Sequence, residues 1–151
     1  MTLSEIRDNL LGQHASLRRI AERASALVEQ VRKGRAGARE GLRDTAIQLE
    51  IAFSQHNKDE EALLGNIIST VDTWGTTRHH LMDYHHAVEH IVLRSTLSAA
   101  LRESDAMVAG DRFENVLHDL LDHMREEEEQ ILNVNVLRDD CYTIENDSLG
   151  G

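Results

Sequence analysis

His56 and His123 are each followed four residues later by a glutamate and then by an apolar pair. His56 precedes Glu60 in His56-Asn57-Lys58-Asp59-Glu60-Glu61, and His123 precedes Glu127 in His123-Met124-Arg125-Glu126-Glu127-Glu128. Four residues on an α-helix is just over one turn, so each pair projects from one face. Imidazole and carboxylate without thiolate suit iron, manganese or zinc, and a carboxylate can span two metal ions as an imidazole cannot. Each pair is followed by apolar residues, Leu63 and Leu64 in one case and Ile131 and Leu132 in the other. Two such half-sites could meet across a bundle.

Further histidines complete the pattern. Leu10-Leu11-x-x-His14-x-x-Leu17-x-x-Ile20 can be laid on Leu81-Met82-x-x-His85-x-x-Val88-x-x-Ile91, so the chain reads twice as a histidine followed by His-x-x-x-Glu. Four histidines and two glutamates related by a pseudo-two-fold suggest a dinuclear centre. One histidine per helix would ligate terminally, and Glu60 and Glu127 would span the ions. His85 is placed first because Leu81, Val88 and Val92 share its stripe; His90 is second, and His86 forms an i, i+4 pair with His90. Glu61 and Glu128, each beside a candidate ligand, are candidate proton relays or alternative ligands. His79 and His80 read as exposed, and His118 as an outer donor or surface group. Any one of these histidines alone is more often a surface or packed residue, and Glu126 to Glu129 alone would be a solvated acidic face. The metal reading rests on their convergence.

The elements that must position these groups are helices. Proline is absent, aromatics are 3%, and Ala, Leu, Glu and Arg are abundant, which excludes a sheet-rich fold and points to an all-α protein. A first helix is expected from a Thr2 or Ser4 cap to about Arg32, with Ile6, Leu10, Leu17, Ile20, Leu27 and Val31 on one face. Gly34 and Gly37 mark the reversal into a second helix from about Glu40 to Val71. A third is expected from about Thr77 to Arg102. A fourth runs from about Asp111 to Leu132 after a loop over 103–110, with Phe113, Val116, Leu117, Leu120 and Leu121 on its apolar face. The sum is an up-down-up-down four-helix bundle over residues 1–132, followed by a polar acidic C-terminal tail over 133–151 that adds no chemistry.

With 151 residues, one core suffices. A net charge of −11 argues against nucleic acid or an anionic membrane as partner. No apolar run reaches a membrane span, and no export signal is visible, so the cytoplasm is the expected compartment. The one cysteine, Cys141, cannot form an internal disulfide.

The order His14, His56-x-x-x-Glu60, a third-helix histidine and His123-x-x-x-Glu127 resembles the H, HxxxE, H, HxxxE pattern of the hemerythrin-like (HHE cation-binding) domain family. The resemblance covers residues 1–132. It implies a four-helix bundle with a non-haem dinuclear iron centre, oxo- or hydroxo-bridged, with manganese and zinc placed behind iron. The partner it implies is a small diatomic ligand or peroxide: members bind O₂, respond to nitric oxide or decompose peroxide in a catalase-like or peroxidase-like way. Others are non-catalytic iron-sensing, iron-donating or iron-storage modules, and a metal-free helical interaction module is the remaining alternative. Oxygen carriers of the family use a second histidine on the third helix and an aspartate where this chain has Glu127 or Glu128, which places oxygen carriage behind the other activities.

Overall fold

The computed structural model describes residues 1–65, 88, 91–137 and 139. Among them are four helical segments and no strand: α1 (Leu3–Arg32), α2 (Ala38–Leu64), α3 (helical residues 91–102) and α4 (Ala106–Gln130). The expected all-α bundle is what forms.

Local chemistry explains where these helices start and stop. Thr2 caps α1 through a reciprocal pair: its hydroxyl accepts from the Glu5 N–H at 3.2 Å, and the Glu5 carboxylate accepts from the Thr2 N–H at 2.6 Å. Two donors that the first turn cannot satisfy internally are thereby met. At the other end Gly34, with φ +69°, takes the left-handed conformation that a side chain would disfavour. This lets the Arg35 N–H reach the Gln30 carbonyl (3.1 Å) and the Gly34 N–H reach that of Val31 (3.0 Å), closing α1 in a Schellman motif. Gly37, with φ +77°, then opens α2.

Two boundaries differ from expectation, both in α4. α4 begins at Ala106, five residues before Asp111, because the Asp105 carboxylate accepts from the N–H groups of Met107 (2.9 Å) and Val108 (3.2 Å) and starts the helix there. Gly110, which read as a loop residue, lies inside that helix, where a Cβ would meet Val28 Cγ1 of α1 at 3.5 Å. A contact of that length is ordinary, so the residue belongs to the α1 interface and not to a turn. α4 also stops at Gln130, and α2 closes at Leu64 on Gly65; the expected continuation of α2 to Val71 lies outside the described residues.

α1 packs against both α2 and α4, and the buried residues form two apolar clusters. The larger joins one face of each helix, with Leu17, Val28, Leu49, Phe53, Leu97 and Phe113 among its members. The smaller gathers Leu3, Ile6, Leu10, Leu64, Leu132 and Leu137. Between the two clusters the buried polar residues are His14 in α1, His56, Asn57 and Glu60 in α2, and Glu127 in α4, with His123 just before Met124 of the larger cluster. Within the stretch read as a tail, Leu137 is buried, and Asp139 accepts from the Ser4 N–H (2.9 Å) and hydroxyl (2.7 Å), fastening it to the start of α1. Leu121 is 40% exposed: next to the buried Leu120 but turned about 100° from it, it stands at the rim.

Candidate metal centre

His14 lies eighteen residues before the end of α1, and His56 eighteen residues after the start of α2. At a rise of about 1.5 Å per residue these are equal distances from the shared turn, so an antiparallel hairpin brings both rings to one height. The His14 and His56 ring centroids are 4.7 Å apart at an interplanar angle of 61°. On α4, His123 and Glu127 come to the same layer. All five residues, His14, His56, Glu60, His123 and Glu127, are buried, the most exposed being His123 at 6%.

Their polar atoms converge. His14 Nε2 lies 3.2 Å from His56 Nε2 and 3.0 Å from Glu127 Oε2, which is itself 3.6 Å from His56 Nε2. Ligand atoms of these three residues all lie within 4.8 Å of one another. Glu60 Oε2 is 3.0 Å from His56 Nε2. Glu127 faces two ways: its Oε2 looks toward His14 and His56, while its Oε1 is 2.6 Å from His123 Nε2. Edge-on packing against Phe53, at a 6.3 Å centroid distance, borders the His123 ring.

The nitrogens turned away from this point are held from outside. His56 Nδ1 is 2.8 Å from Gln13 Oε1, and Gln13 Nε2 donates to Asp59 Oδ2 at 2.9 Å and to Asn9 Oδ1 at 3.1 Å. With Gln13 oriented as an acceptor, Nδ1 holds a proton, which leaves Nε2 as the nitrogen that a metal would take once its own proton is displaced. His14 Nδ1 faces Glu128 Oε1 at 3.4 Å, and Glu128 accepts two hydrogen bonds from Arg18, at 2.7 and 2.5 Å. Arg18 holds the Glu128 carboxyl below the ordinary carboxylate range, and Glu128 in turn raises the Arg18 guanidinium. Burial pushes the pKa of His56 down, but hydrogen bonds and charge from Glu127 and Glu60 outweigh it and raise the group from 6.5 to about 9. In the metal-free chain His56 is therefore protonated at neutral pH.

This donor set fits a cation. Two buried carboxylates at the meeting point of three imidazoles concentrate negative charge where three nitrogen lone pairs can also be aimed, and a buried charge needs such a partner. The two oxygens of Glu127, turned to different imidazoles, give it the disposition of a bridge between adjacent ions.

Five of the six residues expected from the sequence thus come together. The sixth, His85, lies outside the described residues with its alternatives His86 and His90 and with His79, His80 and Cys141. Glu61 is exposed, and Glu128 is engaged by Arg18, so neither takes the part of an alternative ligand. His118 is a surface group, its side chain 75% exposed and 3.3 Å from Asp122. Gln13, Arg18 and Asp59 were not found from the sequence; Arg18 stands one turn after His14, the same i, i+4 signal that marks the His–Glu pairs. Beside the layer, an open groove of about 290 Å³ between α3 and α4 is lined by Val88, Val92, Leu93, Asp119, Asp122, Glu126 and the buried His123. No helix among the described residues is long and apolar enough to cross a membrane.

Among known proteins, the chain matches the family model described as Hemerythrin HHE cation binding domain, over residues 5–134. No curated protein and no solved structure matches it.

Proposed function

Because the chain belongs to the hemerythrin HHE cation-binding domain family, we propose that it is a non-haem di-iron protein of the cytoplasm that binds or reacts with O₂, peroxide or nitric oxide. The observation that carries this reading is the double-sided placement of Glu127, whose Oε2 serves the His14 and His56 side and whose Oε1 serves the His123 side. A pair of redox-active irons held there would supply a vacant coordination position and electrons for a small oxidant. His14, His56 and His123 would hold the irons through nitrogen, and Glu127 and Glu60 through carboxylate oxygens. Leu10 and Leu64, buried just beyond the layer, keep bulk water from one side, and the groove beside His123 gives a small molecule a way in from the other.

The third helix supplies the remaining donor. Val88 and Val92, which placed His85 in an apolar stripe, are 45% and 55% exposed, whereas Leu93, Leu97 and Ala100 are buried. The exposure of Val88 and Val92 removes the argument that set His85 first, and His85, His86 and His90, which lie outside the described residues, are proposed as alternatives.

The second reading is an iron-sensing, iron-donating or iron-storage module. It is favoured by the position of the layer between two apolar clusters, which ties packing of the bundle to occupancy of the site. Elemental analysis of iron-reconstituted protein, near-ultraviolet spectra with and without peroxide or nitric oxide, and iron loss to a chelator separate the two. Peroxide consumption without bleaching supports the reactive centre. Rapid iron release with loss of helicity supports the module, and a protein that holds no stoichiometric iron refutes both.

A further inference from the structure

The two imidazoles that meet at Glu127 are oriented by different means. His56 leans on a neutral amide, Gln13. Behind His14 stands a carboxylate: Nδ1 of this wholly buried ring makes no hydrogen bond, and Glu128 Oε1 lies 3.4 Å from it, a short closure away from accepting one. Glu128 belongs to α4, one residue beyond Glu127, and is turned toward α1 because Arg18 grips both its oxygens. The same Arg18 sits on α1 one turn after His14. The pair therefore ties the helix that carries His14 to the helix that carries Glu127, from outside the metal layer.

We infer that Glu128, clamped by Arg18, is a positioning residue for the metal centre: it takes the His14 Nδ1 proton as a hydrogen bond and thereby keeps the Nε2 lone pair directed at the metal. This rests on the reading of the layer as an iron centre. A carboxylate behind a ligating imidazole fixes its tautomer and ring angle and makes it a stronger donor, and losing such a partner costs a metal site about 10- to 100-fold in affinity. Glu128 does this without being a ligand, since Arg18 occupies the oxygens that a metal would need. Arg18 has a second effect: it balances the carboxylate charge close to the centre, so the two residues act with opposite sign on the oxidation state that the site favours.

The test uses iron-loaded protein and two readouts besides activity, the rate of iron loss to a chelator and the reduction potential of the centre. Glu128→Gln and Arg18→Gln are compared with Glu129→Gln, an exposed neighbour. Iron loss is expected to quicken about 10- to 100-fold in Glu128→Gln and about tenfold in Arg18→Gln, and not in Glu129→Gln. In the doubly substituted protein Arg18→Gln adds nothing further, because it acts through Glu128. Removing the carboxylate charge shifts the potential upward, and removing the guanidinium charge shifts it downward. Potentials that move the same way in both, or iron loss from Glu128→Gln at the Glu129→Gln rate, would overturn the inference while leaving the iron centre standing. Wild-type protein without stoichiometric iron would instead overturn the reading beneath it. Thermal unfolding of the metal-free variants guards against a folding defect, and Arg18→Gln carries the test alone if Glu128→Gln does not fold.

Discussion

Raising the pH of the metal-free protein from about 6.5 to about 9.5 is expected to remove about 3 kcal/mol of stability through one residue, His56. Glu127 and Glu60 lie 3.6 and 3.0 Å from its Nε2 and raise its pKa from 6.5 to about 9 despite burial. A group that holds its proton more tightly when folded stabilises the fold fully below its unfolded pKa and loses that contribution as the pH climbs through the folded one. For a domain of this size the loss corresponds to roughly 6 to 12 °C in melting temperature. Metal binding runs the other way. The incoming cation must displace the His56 proton, so apparent affinity should rise about tenfold per pH unit below 9 for that proton. Thermal unfolding of metal-free wild-type protein and of His56→Asn across this range isolates the first effect. Calorimetric titration with ferrous iron in buffers of different ionisation heat counts the protons released in the second. Parallel stability curves for the two proteins, or iron uptake at neutral pH with no proton released, would refute the account of His56 as an imidazolium between two carboxylates.

Three further outcomes follow from the same geometry. Replacing the buried Glu60 or Glu127 with alanine should weaken iron binding by about 100-fold or more, beyond what losing an outer partner costs, whereas alanine at the exposed Glu61 or Glu129 should leave iron per chain unchanged; equal losses at all four would reduce the glutamates to a charged face. On the third helix, alanine at one of His85, His86 and His90 should lower iron content well beyond alanine at the other two, and unchanged iron in all three variants would remove that helix from the site. Leu137→Ala should destabilise the protein by about 2–5 kcal/mol in denaturant unfolding, as for a large core side chain, and a change near zero would show that the small cluster does not bear on stability.

The sequence made His14, His56, Glu60, His123 and Glu127 legible because each lies on the apolar stripe of a long helix, and the two His–Glu pairs repeat at one spacing. A polar residue on such a stripe is a strong signal, since burial without a partner is costly. Gln13, Arg18 and Asp59 carried no such signal. They sit at the edges of the stripe, where polar residues are usual, and their role depends on which neighbouring helix lies opposite. The start of α4 was misread because Gly110 is a weak helix former, and the Asp105 carboxylate that starts the helix lay in the stretch read as a loop. Leu137 was passed over because Asn133, Asn135 and Asp139 interrupt the apolar residues around it, and only the fold shows that it meets Leu3, Ile6 and Leu10.

The run of glutamates from 126 to 129 makes α4 unusually sensitive to its own reading frame. Deleting one residue between Phe113 and His123 would turn everything after it by about 100° and still deliver a carboxylate to the centre, now Glu128 in place of Glu127. It would deliver Met124 where an imidazole stood, and an insertion would deliver Asp122. The connecting turns can lengthen or shorten without reaching the layer, but this helix tolerates no indel along that stretch, because its acidic residues are interchangeable under a shift and its histidine is not.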